Sequence, residues 1–300
     1  MTMAPSENPL FDVYIIVDWS AANSPKRGKD SIWIASAERR GEDVNMLGLE
    51  NPATRHEAIT FLENIIRTRI ALGERVFAGF DFPFGYPKGA AKKITGAASW
   101  RAIWRRFHIE IEDSQNNRSN RFHVANMLNA EVFRSPVYWG RPHQHRYSHL
   151  PSKKDPSTAR EAMEFRLTER AQPPSKSVWQ LAYNGAVGSQ AMLGMAWMEE
   201  MRRRFGEAAL VWPFETNFSQ GLIAPLILAE IYPTMFPATL KPYEVKDRAQ
   251  VRICAKTFAE TDARGDFRRW LSAPPILDEA ARCAVLEEEG WIVGAGWATT

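Results

Sequence analysis

Cysteine is scarce in this chain: two in 300 residues, Cys254 and Cys283, in unrelated contexts. That argues against a disulfide framework and against a cysteine-built zinc site. No apolar run approaches the roughly 20 residues a membrane helix needs; the longest, near Val13 and Ile223, are short. The first residues carry no basic stretch followed by an apolar one, so no secretory signal and no membrane partner are expected, and the cytoplasm is the expected address. Internal repeats and low-complexity tracts are also missing. Neither a Ser-His-Asp nor a Cys-His nucleophile has a sequence context here.

What is present is an ordinary globular composition, 45% hydrophobic and 24% charged, in a chain long enough for a real core. The net charge of +3 is unevenly spread. Between Lys88 and Lys176 there are 17 Lys/Arg against 8 Asp/Glu, a local balance of +9 that leaves −6 for the rest. Five of the six histidines (His108, His123, His143, His145, His149) fall in the same stretch. A basic insertion in an acidic scaffold points to a nucleic acid or another phosphate-bearing partner, or else to a solvated surface whose charges balance in space.

Residues 1–9 are polar and expected to fray. Asp12 to Trp19 reads as a buried strand, because Val13-Tyr14-Ile15-Ile16-Val17 is β-branched and aromatic. Ser31 to Glu38 and Val44 to Leu49 follow as strands across a turn at Gly41-Glu42-Asp43, which implies an antiparallel meander. Thr54 to Leu72 has Ile59, Leu62, Ile66 and Ile70 at helical spacing, a capping threonine and a terminating Gly73. Arg75 to Phe82 is a fourth strand, expected to lie parallel to the first. Helices are expected over Ser99–Glu112, Phe122–Phe133, Thr158–Arg170 and Ser189–Phe205, with an irregular stretch from Ser135 to Lys154. Short strands at Leu210–Phe214 and Pro225–Tyr232 precede a helix from Tyr243 to about Asp262, with Val245, Ala249, Ile253 and Phe258 on one face.

Asp18 ends the first strand and Asp81 the fourth. If those strands are parallel neighbours, both carboxylates emerge beyond the carboxyl ends of the strands, where α/β folds place ligands. Two adjacent carboxylates repel unless a cation sits between them, and Mg²⁺ or Mn²⁺ is the natural hard cation for oxygen ligands. Glu230, before Tyr232-Pro233, and Asp247, opening the last long helix, are further candidates. Each has a plain alternative: an ion pair with an arginine for Glu230, helix-dipole stabilisation for Asp247, turn capping for Asp81. Glu215 is a weaker competitor.

Asp18-Trp19-Ser20, Asp81-Phe82-Pro83-Phe84-Gly85, Ser177-Val178-Trp179-Gln180, Val211 to Glu215, Glu230-Ile231-Tyr232-Pro233 and Glu289-Gly290-Trp291-Ile292 occur in that order. Over most of the chain this series resembles the bacterial ribonuclease H-like nucleases of domain-of-unknown-function family 429. The resemblance implies an α/β fold with a ribonuclease H-like mixed five-stranded sheet, order 3-2-1-4-5, flanked by helices. Residues 1–300 would form one such domain, with core 10–87 and 209–300 and a large, mostly helical insertion at 88–208. It also implies metal-dependent phosphodiester hydrolysis, in which two ions about 3.5–4 Å apart clamp the attacking water and the leaving oxygen. Asp18 would bridge both ions, Asp81 and Glu230 would complete one or both, and Asp247 would hold the hydrolytic one. The family tends to carry paired aspartates at the start of the final helix. Here Gln250 stands where the second falls, and a glutamine brings no charge.

Several other features have two readings. Ser20 and the basic run Lys26, Arg27 and Lys29 beside Asp18 are candidate phosphate contacts or a solvated hairpin tip. Asn184-Gly185-Ala186-Val187-Gly188-Ser189, before a helix, could cradle an anion through Gly185, Gly188 and Ser189, or be a plain capping turn. Trp100, Ile103, Trp104 and Phe107 are spaced as a core-facing stripe rather than a nucleic-acid platform. The histidines at 143, 145 and 149 lack an acidic or cysteine partner for a metal. Alternatives to a hydrolase are a scaffold with a depleted site, or an actin-like phosphotransferase, which needs a second copy of the fold that this sequence does not display.

Overall fold

The computed structural model describes residues 9–41, 43–156, 161–219, 221 and 223–297. The expectations for residues 1–8, for Glu42 in the turn and for 158–160 at the head of the third expected helix fall outside them.

Strands β1 (Val13–Asp18), β2 (Trp33–Arg40) and β3 (Asp43–Glu50) form the expected antiparallel meander. Helix α1 (Arg55–Ala71) starts where the Thr54 hydroxyl accepts the Glu57 amide at 3.1 Å, and buries Ala58, Ile59, Leu62 and Ile66. It leads to β4 (Val76–Phe80), which pairs parallel to β1. Between β4 and the next strand lie α2 (Ala90–Thr95), α3 (Trp100–Glu110), α4 (Arg121–Glu131), α5 (Leu167–Ala171) and α6 (Gly188–Phe205). The short α2 was not expected, and of the helix expected over Thr158–Arg170 only Leu167 onward is helical after residue 161.

The expected five-stranded sheet of order 3-2-1-4-5 is corrected to six strands in order 3-2-1-4-6-5. Strand β5 (Ala209–Val211) runs to the sheet edge, and β6 (Leu226–Glu230) returns between it and β4, parallel to both. Burial and proline decide the order. All five residues of β6 are buried and suit an interior strand, whereas Trp212-Pro213 stops β5 after three residues because proline has no N–H for the ladder. Helices α7 (Lys246–Ala263), α8 (Phe267–Leu271) and α9 (Glu279–Ala284) complete the chain, followed by a π-helical turn at Val285–Glu289. In α7 the buried face runs through Ala249, Val251, Cys254, Ala255 and Phe258; Ile253 lies off it.

Two hydrophobic clusters cover the two faces of the sheet. Val13, Ile15 and Val17 of β1, Val76, Ala78 and Phe80 of β4, and Leu226 and Leu228 of β6 join α1, α3 and α6 in one. Tyr14, Ile16, Phe77, Ile227 and Ala229 join α7 and α8 in the other. Strand alternation thus fixes which side each carboxylate faces. The first cluster contains residues of both the sheet and the long insertion, so the inserted helices pack directly on one sheet face.

Candidate active site

The parallel register pairs Val17 with Phe80, and the Asp81 amide donates to the Val17 carbonyl at 2.9 Å. Asp18 and Asp81 therefore sit side by side at the carboxyl ends of neighbouring strands, both half-buried. By alternation each continues the set that faces α7. Among the described residues neither carboxylate has a hydrogen-bond or ion-pair partner. Burial, then repulsion from Asp81, Asp247 and Asp30, pushes the Asp18 carboxyl well above its ordinary range, with Lys246 opposing. Burial, then Glu230 and Asp247, lifts Asp81 to about 7. Asp247, in the first turn of α7, accepts the Asp30 amide at 2.7 Å and is the third acid within electrostatic reach of the pair. Gln250 follows one turn later, half-buried.

Glu230 ends β6 level with Phe80 of β4. It continues the Leu226 and Leu228 side of β6, and at the end of the strand it lines one cavity together with Asp81. There it forms a forked pair with Arg166, whose Nη1 meets Oε2 at 2.8 Å and Nη2 meets Oε1 at 2.5 Å. Arg166 is fully buried; its Nε donates to Glu169 at 2.7 Å and its Nη1 to the Glu289 carbonyl at 2.7 Å. Glu230 also accepts the Phe84 amide at 2.9 Å, and Trp104 Nε1 donates to the Phe84 carbonyl at 2.7 Å. These bonds hold the segment that follows Asp81. Glu230 is a positioning residue here, its charge matched by arginine.

The terminal acids serve the same segment. Glu289 accepts the amides of Lys88 and Leu167, and Glu288 those of Gly89 and Ala91. Gly85 passes so close that a Cβ there would lie 2.1 Å from the Glu288 carbonyl oxygen. Gly85→Ala should therefore cost about 3 kcal/mol, since backbone cannot yield as a side chain can; a urea midpoint unchanged from wild type would contradict this packing.

A groove of about 430 Å³ opens past the end of β1, beside Ser20 and Asp30. Ser20, Lys26 and Ser189 line it, as do Asn23, Arg121, Phe122, His145, Tyr183 and Gln190. Arg27 turns away, bonding the Asn51 carbonyl and pairing with Glu57 at 3.6 Å, and Lys29 does not line the groove either. In the glycine loop the Ala186 amide donates to the Tyr183 carbonyl at 3.0 Å and the Gly188 amide to the Gln180 carbonyl at 2.8 Å, and a Cβ on Gly188 would lie 2.3 Å from the Val178 oxygen. Gly185 packs under the methylenes of Lys176. Ser189 bonds the Leu181 carbonyl and accepts from Arg121. The Gly188 amide is thus taken by the Gln180 carbonyl, and Ser189 is the residue of the expected anion cradle that lines the groove.

A second cavity of about 180 Å³ contains Asp81 and shares Gln190 with the groove; Phe82, Lys176, Tyr232 and Ile292 are among its walls. Sequence reading missed Arg166, Lys176 and Gln190. The only local signal was the Arg166/Glu169 spacing, which looks like any surface pair. The basic stretch is largely spent internally, as in Arg101 and Arg105 beside buried Glu199, Lys93–Glu161 and Arg106–Glu110. Trp100, Ile103, Trp104 and Phe107 are buried, as their spacing implies. Glu215 is paired with Arg202.

Among the described residues no three of histidine, cysteine, aspartate and glutamate form a ready-made metal cage, and no helix is long and apolar enough to cross a membrane. Comparison with protein-family models, with curated proteins and with solved structures finds no match in any of the three. The likeness to family 429 rests on the motif series alone.

Proposed function

We propose that this chain is a metal-dependent hydrolase of phosphodiester bonds on a ribonuclease H-like sheet, with Asp18 and Asp81 as the metal ligands and Asp247 as the third acid. One observation carries the reading: two adjacent, half-buried carboxylates at the parallel-strand edge, with no hydrogen-bond or ion-pair contact among the described residues and only Lys246 opposing their repulsion. Like charges so placed resist ionising together unless a cation joins them. The donor set fits Mg²⁺ or Mn²⁺, since Mg²⁺ is commonly held by one or two carboxylates and keeps several waters. Bound there, such an ion supplies Lewis-acid polarisation and an activated water. The chain's own residues do the rest. Glu230 and Arg166 fix the Asp81 segment, Asp247 ties α7 to the β1–β2 loop through Asp30, Lys176 lines the cavity that contains Asp81, and Lys26 lines the groove past the end of β1.

Isothermal titration with Mn²⁺ at pH 8 should show binding by the wild type. Asp18→Asn should weaken it by at least about 100-fold, because even outer-shell partners of a metal are worth 10–100-fold. Cleavage of a model phosphodiester should fall in parallel. Full metal-dependent hydrolysis by Asp18→Asn would reject the assignment. A second reading, a scaffold that keeps the fold without turnover, is favoured by Gln250 and by the commitment of Glu230 to Arg166. It requires that Mn²⁺ binding be absent or insensitive to Asp18 and Asp81.

A further inference from the structure

The groove past the end of β1 and the cavity that contains Asp81 meet at Gln190, whose side-chain amide donates to the Trp19 carbonyl at 2.6 Å, one residue past Asp18. An occupant that fills both reaches from the groove past Gln190 to Asp81, so it is a chain rather than one nucleotide. The groove walls are fastened together. Arg121, buried in the insertion, donates to the Ala21 carbonyl at 3.0 Å and to Asn23 Oδ1 at 3.1 Å, and Asn117 donates to the Ser24 carbonyl at 3.2 Å. One wall is the β1–β2 loop, the other the insertion, and these bonds set the distance between them.

The insertion wall carries aromatic rings. Tyr183 has φ +77°, a left-handed backbone that a bulky side chain adopts only under constraint, and such residues cluster at functional sites. Its hydroxyl is anchored to the Arg141 carbonyl at 2.9 Å, and its ring stays 48% exposed, with the His143 ring centroid at 5.6 Å. His145 lies 5.3 Å from Phe122 and stacks on Tyr147 at 5.8 Å. Tyr183, His145 and Phe122 all line the groove. Lys26 stands on the opposite wall, in a loose pair with Asp30 at 3.6 Å. Lys176 stands in the cavity beyond, without an ion-pair partner among the described residues.

We propose that this groove binds a single-stranded polynucleotide, with bases stacked on Tyr183 and His145 and phosphates met by Lys26 and Lys176; the inference rests on the phosphodiester reading of the carboxylate edge. Exposed rings beside a cationic track accept any base, because every base has a π-face. A duplex hides those faces in its own stack, and the fastened walls would have to part to admit it.

The test is fluorescence anisotropy on full-length Asp18→Asn protein in EDTA, using a labelled single strand of about 12 nucleotides, within the usual site-size range, against its duplex and a mononucleotide. The single strand should bind at least about 10-fold tighter than the duplex, and Tyr183→Ala should weaken it about 5-fold or more while Tyr183→Phe does not. Lys26→Gln and Lys176→Gln should each reduce the slope of log affinity against log salt by about 0.7, the signature of a lost phosphate contact that a merely structural change would not give. Equal affinity for the duplex or the mononucleotide, or an unaltered Tyr183→Ala, overturns the proposal. Mn²⁺ titration of the wild type separates the two claims. Metal binding without strand affinity sinks this one alone, and strand affinity without metal binding supports it while sinking the hydrolase.

Discussion

Replacing Arg166 with methionine should lower the unfolding free energy by about 3–5 kcal/mol at pH 7, the usual cost of stranding buried charge. The guanidinium is fully buried and meets Glu169 and Glu230 together with the Glu289 carbonyl. Methionine fills much of the volume but leaves two carboxylates without their counter-ion. The effect should shrink in acid. Burial already pushes the Glu230 carboxyl above its ordinary range, and Arg166 is what opposes this. Without the arginine Glu230 takes up a proton more readily, so lowering the pH removes the stranded charge. Urea titrations at pH 7 and pH 5 measure both. A loss under about 1 kcal/mol at pH 7, the range of exposed pairs, would mean that the network is solvated rather than buried. Because Glu230 also holds the Phe84 amide, the same variant should loosen the Asp81 segment and weaken Mn²⁺ binding.

The second large effect has the opposite sign. Asp81→Asn should stabilise the metal-free protein at pH 8, on the order of 2–4 kcal/mol, while removing a metal ligand. The folded state holds Asp81 at about 7 against an ordinary value of 3.8, and Asp18 is raised as well. A carboxyl whose affinity for protons is higher when folded contributes stability below the unfolded value, and that contribution is lost as the pH rises through the folded one. Metal-free wild type should thus lose stability between about pH 4 and pH 7, whereas Asp81→Asn should lose much less. Saturating Mn²⁺ should restore the wild type at pH 8 by mass action and leave the variant unmoved. Thermal melts across pH, with chelator and with Mn²⁺, give all four curves. A wild type equally stable at pH 5 and pH 8 in chelator would show that the two carboxylates do not repel.

The local parts of the fold were legible because their signals are local. The β-branched, aromatic run Val13–Val17, the periodicity of Arg55–Ala71 and its Thr54 cap each act over a few residues, and each appears where the pattern puts it. The six-stranded order was not legible. Whether a short apolar segment takes the edge or the interior depends on what else competes for the place beside β4, and the three residues before Trp212-Pro213 lose it to Leu226–Glu230.

The candidate site divides the same way. That Asp18 and Asp81 end strands was written in the chain, and the parallel pairing of those strands made them neighbours. Glu230 also ends a strand, and only the tertiary structure shows that an arginine 64 positions away completes it. Side-chain direction along a strand has period two, so a one-residue difference in where a strand meets its neighbour reverses which side a carboxylate faces. Sequence by itself determined which residues carry charge and where the meander strands and α1 lie. Packing decided which of those charges met a counter-ion and which were left facing one another, because the free energy of a buried charge depends on its surroundings, not on its place in the chain.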